Sequence, residues 1–546
     1  MRCSAAEALI TFLSSNGIDR IFCVPGESYL SALDAMYEHP TVEVIACRHE
    51  GGAGFMAVAD ARLTGRPGVL FTSRGPGSMN AAISLHAAQQ DGVPLLAFIG
   101  HVTREELGRG AFQEVDYRQT FGDIAKGVFE VHSGNRIIDL VAQAWRLATN
   151  GTPGPVVVVL PEDMLADDVE VDAPLPLPVP LKPGPTITDL NAIQQRLSEA
   201  KRPLLLAGGQ INTPESKAAL RRVAELWGLP VLGTFKQQEV MANDHPNWVG
   251  QVGFVMPSLM AESLEQADLI LAVGTRLGDI STQGYRFPAA PVPAQDVIHV
   301  YPDTDQIGRN IVPRIGIVAD SGTFLAELGK LPAPTVTDER QTWLDELSGN
   351  YHSLGKYSPN ANECGVDPGA VVTAVNRNAS PDALFCLDAG NFATWVHRYL
   401  TVHEEQRLLA SASGAMGSGV PFAVAAGMRH PERMVIAFLG DGGALMTCNE
   451  LATAIHHGIN IKIIIVDNSV YGTIKGFQEK LFPGRQVATS LTNPDFAAWA
   501  ESFGVRGYTI DNTDSVESTI ESALAEDGSA VIHVKQDPAR LNAFSA

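Results

Sequence analysis

The sequence predicts an α/β protein of three domains, each a doubly wound parallel sheet. Short and almost wholly apolar strands alternate with helical patterns along the chain, and two proline-containing breaks divide this pattern into three parts. The length of 546 residues is also too great for one hydrophobic core. Strands that are apolar on both faces are typical of parallel sheets covered by helices on both sides.

The pattern of residues 1–170, the first part, predicts a βαβ domain. Ser4 is a candidate N-cap for a helix that ends near Gly17. Strands are predicted at 20–24, 42–46, 68–72, 94–100 and 155–160. Helical patterns between these strands indicate crossover connections and therefore parallel pairing.

Two breaks separate the remaining parts. The first break, 171–186, holds six prolines and predicts a stiff linker. The second, 331–340, is polar and contains proline. The middle domain is therefore expected at 187–330, with strands at 203–208, 230–235, 269–274 and 297–302. The last domain is expected at 360–546, with strands at 383–390, 434–442, 461–468 and 530–535.

Composition and charge exclude several classes of function. A formal net charge of −22 disfavours binding to nucleic acid or to anionic membrane surfaces. No apolar run is long enough for a membrane span, and the first residues lack a signal-peptide pattern. The six cysteines show no paired spacing, which favours free thiols in a reducing compartment. We therefore expect a cytoplasmic protein that acts on small molecules.

The most informative segment spans 434–480. One apolar strand leads to Gly440-Asp441-Gly442-Gly443, and the next leads to Asn468. The carboxyl ends of parallel strands share one edge of a sheet, so both side chains are expected there. Glycines let a diphosphate approach the backbone, and carboxylate and amide oxygens suit Mg²⁺. Either turn alone is typical of ordinary strand-to-helix connections, but the two together predict a metal and diphosphate site.

This spacing resembles the binding motif of thiamine-diphosphate enzymes. The resemblance implies that Asp441 and Asn468 bind Mg²⁺ through their side chains and Val470 through its carbonyl, with Gly442 and Gly443 near the diphosphate. The family usually has Asn-Asn before the loop, whereas Asp467 precedes Asn468 here. Because the second residue is the ligand, we expect this departure to be harmless.

Thiamine chemistry also needs a buried carboxyl group that activates the cofactor. Glu50 falls at a strand-to-helix junction, where by itself an acid is more typical of a simple helix start that the helix dipole favours. The stretch 48–81 resembles the N-terminal domain of acetolactate synthase-like decarboxylases, which implies that Glu50 is the activating acid. The resemblance further implies cofactor contacts from Pro25, Gly75 and Asn80, and a catalytic role for Gln113.

Further family matches lie in the last domain. They imply that backbone groups near Gly414 hold the aminopyrimidine, that Met416 supports the bent cofactor, and that the region 388–392 contacts the diphosphate. The cofactor-binding residues expected from these matches and from the loop after Val470 are Gly390, Asn391, Phe392, Gly414, Met416, Tyr471 and Gly472.

The substrate side is expected to be apolar. Phe55 replaces a histidine of the family, and a segment at 471–490 follows the metal ligands. The helical spacing of Thr473, Ile474 and Phe477 makes them candidate substrate contacts. Such a site favours a larger or aromatic 2-oxo acid over pyruvate.

The resemblance spans nearly the whole chain: a pyrimidine-binding domain, a Rossmann-like middle domain and a diphosphate-binding domain. It implies a homodimer as the minimum active unit and a homotetramer as the expected assembly. Arg276 and Asp279 match the flavin segment of acetolactate synthases, but the residues at 250–259 depart from that family. We therefore expect thiamine diphosphate and Mg²⁺ as cofactors. Binding of FAD to the middle domain, in addition to them, is possible but less expected than its absence.

The leading hypothesis is a decarboxylase or carboligase acting on a 2-oxo acid. An alternative keeps the cofactor but cleaves a 2-hydroxyacyl-CoA, oxalyl-CoA or an acyloin. A third alternative is a nucleotide-binding oxidoreductase or a catalytically silent interaction protein. The oxidoreductase is disfavoured because no strand is followed by GxGxxG, and the silent protein because Glu50, Asp441 and Asn468 are all present.

Overall fold

The computed structural model describes residues 2–171, 177, 180–359 and 365–544. Residues 172–176 and 178–179 of the predicted linker at 171–186, and Cys364, lie outside the described residues. The other five cysteines are free thiols.

The first six-stranded sheet lies within residues 20–161, and all of its strand pairs are parallel. A small antiparallel pair, β1 with β8, accompanies it. The elements are β1 (Arg2–Ser4), α1 (Ala5–Ser15), β2 (Arg20–Cys23), α2 (Leu30–Tyr37), β3 (Glu43–Ala46), α3 (Glu50–Thr64), β4 (Gly68–Thr72), α4 (Pro76–Asp91), β5 (Leu95–His101), α5 (Tyr117–Phe121), β6 (Val128–Glu130), α6 (Ile137–Thr149), β7 (Pro155–Pro161) and β8 (Asp168–Glu170). Ser4 caps α1 as predicted, because its Oγ accepts the N–H of Glu7.

The second parallel sheet lies within residues 203–318. Its elements are α7 (Ile187–Glu199), β9 (Pro203–Ala207), α8 (Pro214–Trp227), β10 (Val231–Gly233), β11 (Trp248–Gln251), α9 (Ser258–Leu264), β12 (Leu269–Val273), β13 (Asp296–Tyr301), β14 (Ile315–Val318), α10 (Ser321–Leu328) and α11 (Asp338–Gly355). Helix α11 begins inside the stretch 331–340 that the sequence predicted as a break, because Thr337 caps it by accepting the N–H of Arg340.

The third parallel sheet lies within residues 384–535. Its elements are α12 (Pro368–Asn378), β15 (Leu384–Leu387), α13 (Ala393–Tyr399), β16 (Arg407–Ala410), α14 (Gly419–Arg429), β17 (Val435–Gly440), α15 (Asp441–Thr447), α16 (Leu451–His456), β18 (Lys462–Asp467), α17 (Gly472–Leu481), α18 (Phe496–Glu501), β19 (Arg506–Ile510), α19 (Val516–Leu524) and β20 (Ala530–Lys535). The predicted fold class, three α/β domains with parallel sheets, is confirmed.

The first and third sheets share one strand order, and the middle sheet has a different one. The orders are β3-β2-β4-β5-β7-β6 in the first sheet and β16-β15-β17-β18-β20-β19 in the third, which follow the same scheme. The middle sheet has β11-β10-β9-β12-β13-β14, the order usual for dinucleotide-binding sheets. In the third sheet the order of strand addition reverses between β15 and β17, because β16 lies on one side of this pair and β18 on the other, and ligands bind at such switch points. Asp441 follows β17 there, and Asn391 follows β15.

The chain divides into two compact units. One comprises Met1–Leu181, Ser411–Val435 and Gly443–Ile461, and the other comprises Lys182–Ala410, Ile436–Gly442 and Lys462–Ala546. Within the part of the chain that the structure describes, no helix has the length and apolar character that crossing a membrane requires.

Candidate active site

Glu50 is the first residue of α3 and is 9% exposed. Its Oε2 accepts a hydrogen bond of 2.9 Å from Nδ2 of Asn80 on α4. Its Oε1 accepts no hydrogen bond from the described residues, and Gly77 leaves space beside it, since a Cβ on Gly77 would lie 3.1 Å away. A buried carboxyl group with one oxygen left open is able to share a proton with a bound ligand.

Gln113 lies beside the turn that begins α4. Gly75 has a φ of +43°, and a Cβ there would lie 2.7 Å from the backbone oxygen of Gln113, so only glycine fits. The hydroxyl of Tyr117 accepts the N–H of Gly75 at 3.0 Å. Gln113 itself has a φ of 64°, a left-handed conformation that is uncommon outside glycine and often marks functional sites. The predicted residues Gly75 and Gln113 therefore lie together.

A second buried acid holds the turn that carries Glu50. The Glu450 carboxylate is 0% exposed and accepts the backbone N–H groups of Arg48 and His49, the latter at 2.9 Å. The Thr453 hydroxyl also donates to it, at 2.6 Å. Burial raises the pKa of Glu450, although these hydrogen bonds act against the rise. Glu450 thus fixes the backbone directly before Glu50.

Four other predicted residues lie in the same unit. Pro25 is exposed just after β2, and Gly414 is exposed with a φ of +71° in the loop between β16 and α14. Met416 is half-buried in that loop. Phe55 is 1% exposed and its ring packs edge-on against Phe422, with centroids 6.1 Å apart. This packing accounts for the aromatic ring at position 55 without a substrate.

The predicted metal ligands follow neighbouring strands in the other unit. Gly440 at the end of β17 pairs with Val466 of β18, so Asp441 and Asp467 leave the sheet at the same edge. Asn468 comes next, and its Oδ1 accepts the N–H of Val470 at 3.2 Å. The register of two parallel strands therefore places the predicted ligands together at the carboxyl edge.

Negative charge predominates at this edge, although Nζ of the half-exposed Lys535 lies 3.5 Å from Oδ2 of Asp467. Asp441 is 4% exposed; burial and the nearby Asp467 raise the pKa of its carboxyl group to about 6, although a hydrogen bond from Asn493 opposes the rise. Burial also acts to raise the pKa of Asp467, but hydrogen bonds from His533, Asn493 and Ser469 outweigh it and lower that pKa. Two buried carboxylates beside an amide and a backbone carbonyl are a donor set that Mg²⁺ accepts.

Residues after β15 and β18 complete this region. A Cβ on Gly440 would lie 3.0 Å from the ring of Phe392, so that ring covers the end of β17. The hydroxyl of Thr473 donates to Oδ1 of Asn391 at 2.8 Å. The described residues of this unit that the sequence predicted at the cofactor are Gly390, Asn391, Phe392, Gly442, Tyr471 and Gly472, whereas Gly443 begins a segment of the first unit.

Helix α17 presents apolar side chains to solvent. Ile474 is 51% exposed and Phe477 is 53% exposed, and Leu481 on the same helix is 63% exposed. No side chain of this helix is buried. About half or more of each of these side chains is open to solvent, so burial in the core does not explain their apolar character.

Sequence reasoning missed Glu450, Asn493 and His533. Each acts through a contact between residues far apart in the chain, and none belongs to a motif with characteristic spacing. Among the described residues, no three His, Cys, Asp or Glu side chains gather into a metal cluster.

Comparison with known proteins gives three family matches in the order of the three sheets. They are the thiamine pyrophosphate enzyme N-terminal TPP binding domain over residues 3–120, the central domain over 190–328 and the C-terminal TPP binding domain over 388–534.

Relatives match along almost the whole chain. The acetolactate synthase large subunit of Parasynechococcus marenigrum is 30% identical over 97% of this chain and 87% of its own. The probable acetolactate synthase large subunit of Methanocaldococcus jannaschii is 30% identical over 98% and 92%. The putative thiamine pyrophosphate-containing protein YdaP of Bacillus subtilis is 29% identical over 97% and 91%. The chain therefore belongs to the thiamine pyrophosphate (thiamine diphosphate) enzyme family, and it carries both of the family's cofactor-binding domains.

Proposed function

We propose that this protein is a thiamine-diphosphate- and Mg²⁺-dependent decarboxylase or carboligase that acts on a 2-oxo acid. The observation that carries the proposal is the buried carboxyl group of Glu50, held by Asn80 and with Oε1 open, in a domain of the thiamine pyrophosphate family. The names of the acetolactate synthase relatives support the choice of a 2-oxo acid.

The metal would be held at the carboxyl edge of β17 and β18. The side chains of Asp441 and Asn468 and the carbonyl of Val470 supply hard oxygen ligands, which suit Mg²⁺. Burial and the negative charge of Asp467 both raise the pKa of Asp441, and the cation would offset that charge. With a protein net charge of −22, a metal is the most direct way to hold a diphosphate here.

When bound, the cofactor would supply a nucleophilic thiazolium carbon and a cationic ring that can accept the electron pair left by departing CO₂. Glu50 would hold a proton at Oε1, while Asn80 keeps Oε2 occupied and the carboxyl plane fixed. Gln113, beside Gly75, would donate a hydrogen bond to the substrate. We further propose that Gly414 and Met416 contact the cofactor, as the family match implies.

The substrate would meet helix α17. Thr473 is anchored to Asn391 through its hydroxyl, while Ile474 and Phe477 leave apolar side chains exposed. Apolar groups at this position favour a 2-oxo acid with a bulky side chain over pyruvate.

The proposal includes a homodimer in which each cofactor is held by Glu50 of one subunit and Asp441 of the other, with a homotetramer as the full assembly. It needs no flavin: Arg276 and Asp279, which match the flavin segment, follow β12 in the middle domain and take no part in the chemistry proposed here.

The reaction is tested by measuring CO₂ release from pyruvate, benzoylformate and oxalyl-CoA, with thiamine diphosphate and Mg²⁺ present. We expect release from at least one 2-oxo acid, and faster release from benzoylformate than from pyruvate. Release from oxalyl-CoA alone would favour the CoA-ester lyase, and no release from either 2-oxo acid would refute the proposal.

The role of Glu50 is tested by Glu50→Gln, which keeps the hydrogen bond from Asn80 but cannot hold an acidic proton. Exchange of the cofactor C2 proton, followed by NMR in deuterated buffer, is expected to slow by orders of magnitude, whereas Glu38→Gln at an exposed position should not change it. Equal exchange in Glu50→Gln and the parent protein would mean that Glu50 is only a helix-start acid.

The metal assignment is tested by Asp441→Ala with calorimetric titration of Mg²⁺ and thiamine diphosphate. We expect binding to be lost while the fold survives. Asp511→Ala is the matched control, because Asp511 is an exposed acid that follows β19 at the same edge of the sheet. Unchanged affinity in Asp441→Ala would remove Asp441 from the metal site.

A further inference from the structure

Asn493, in the loop before α18, joins the two acids at the carboxyl edge of the third sheet. Its Nδ2 donates to Oδ2 of Asp441 at 2.7 Å and to Oδ1 of Asp467 at 2.8 Å. A primary amide carries two N–H bonds on one nitrogen, so it can serve two carboxylates at once. Within the described residues its Oδ1 is buried and has no hydrogen-bond partner, so the side chain is held through its nitrogen alone.

The far side of Asp467 is fixed by His533 on β20, which is 0% exposed. The Nδ1 atom of His533 accepts the N–H of Phe496 at 3.2 Å, so Nε2 carries the proton. That Nε2–H group donates to Oδ2 of Asp467 at 2.8 Å. The N–H and hydroxyl of Ser469 donate to Oδ1 of Asp467 at 2.9 and 3.0 Å.

Every hydrogen bond around Asp467 therefore points into its carboxylate. An asparagine at this position would turn an N–H₂ group toward a donor, either His533 or Asn493. Reversal of the His533 tautomer would set two donors against each other, because Phe496 N–H donates to Nδ1, although Oδ1 of Asp495 also lies 3.6 Å from that atom. The aspartate that replaces the family's usual asparagine is thus matched to Asn493 and His533, and it has a defined partner on each side.

We propose that Asn493 is a positioning residue of the metal site, which holds the Asp441 carboxylate in the orientation that the cation requires, and that Asp467, itself fixed by His533, in turn holds Asn493. The inference rests on the proposed function, because it presumes that Asp441 binds the metal. Residues that orient metal ligands through hydrogen bonds typically change metal affinity by about 10- to 100-fold when they are removed.

The test uses Mn²⁺ as the probe, with its binding to the full-length protein in the presence of thiamine diphosphate measured by electron paramagnetic resonance. Asn493→Ala and Asp467→Asn are each expected to weaken Mn²⁺ binding at least about tenfold. Asn512→Ala is the matched control, because Asn512 also donates to an aspartate, Asp511, but at an exposed position.

The outcomes separate the inference from the proposed function. Wild-type Mn²⁺ affinity in Asn493→Ala, with Asp441→Ala unable to bind, would overturn the positioning role and leave the metal site in place. Wild-type affinity in Asp441→Ala would overturn the metal site itself. If Asn493→Ala does not fold, Asp467→Asn decides the question, since unchanged Mn²⁺ affinity there would equally overturn the inference.

Discussion

Replacement of Glu450 should loosen the turn that carries Glu50. In Glu450→Ala the backbone N–H groups of Arg48 and His49 both lose their acceptor at a partly buried position. A fully buried donor left unpaired costs about 1–3 kcal/mol, so for these two partly buried donors together local opening of the turn should become easier by about 1–2 kcal/mol. That difference corresponds to amide hydrogen exchange about 5- to 30-fold faster.

Glu450→Gln should speed amide hydrogen exchange in this turn less than Glu450→Ala does. Its oxygen can occupy the position of Oε1, which lies within hydrogen-bond distance of both N–H groups. Only the charge is lost, and hydrogen bonds to a charged acceptor are about twice as strong as neutral ones.

The assay is hydrogen–deuterium exchange with mass spectrometry on peptides that cover residues 45–56. We expect exchange to increase in the order wild type, Glu450→Gln, Glu450→Ala, while Glu521→Ala at an exposed site of α19 leaves these peptides unchanged. Unchanged exchange in Glu450→Ala would refute the reasoning. An increase spread evenly over the whole unit would show general destabilisation instead of a local role.

Three further changes are predicted. Gly52→Ala should lower the melting temperature and the rate of cofactor C2 exchange, because its Cβ would lie 2.4 Å from the carboxylate that holds the turn, whereas Gly349→Ala meets no atom within 4 Å and should be neutral. Burial acts to raise the pKa of Asp19, but hydrogen bonds from two arginines outweigh it and lower the pKa to about 2. The stabilisation that the ionised Asp19 gives to the folded protein is therefore complete above about pH 4 and is lost as the pH falls through about 2. Asp19 has a 48% exposed side chain, so in thermal melts Asp19→Asn should cost less than about 1 kcal/mol at pH 7 and nothing at pH 2. Phe477→Ala should change the kcat/KM ratio between pyruvate and a bulkier 2-oxo acid by about tenfold with little loss of stability, and Leu481→Ala should leave that ratio unchanged.

The sequence predicted the interior of each sheet better than its edges. Strand β4 is buried along its whole length and was predicted from its apolar residues alone. Strands β6, β14 and β19 lie at sheet edges, are partly exposed and were not predicted. An edge strand is covered less completely than a central one, so its residues carry less of the apolar signal that identifies a buried parallel strand.

The candidate site was also predicted only in part. Asp441 and Asn468 could be placed at one edge because each directly follows an apolar strand, and parallel strands share their carboxyl edge. Asn493 and Glu450 could not be placed, because their partners are 52 and 401 residues away in the sequence. Such contacts depend on how separate elements pack, and neither periodicity nor motif spacing records this.

The departure at Asp467 shows why a motif position should be judged with its neighbours. From the sequence alone the aspartate appeared harmless because the ligand is the next residue. In the structure it adds a second buried carboxylate beside Asp441, and burial together with this charge raises the pKa of Asp441 to about 6. A raised carboxyl pKa means that Asp441 removes stability from the folded, metal-free protein as the pH rises from about 4 to about 6, whereas Asp467, whose pKa is lowered, adds stability as the pH rises toward about 4. A cation at this edge would remove that cost because it interacts favourably with both acids. The same charge that destabilises the empty site would therefore strengthen metal binding at neutral pH.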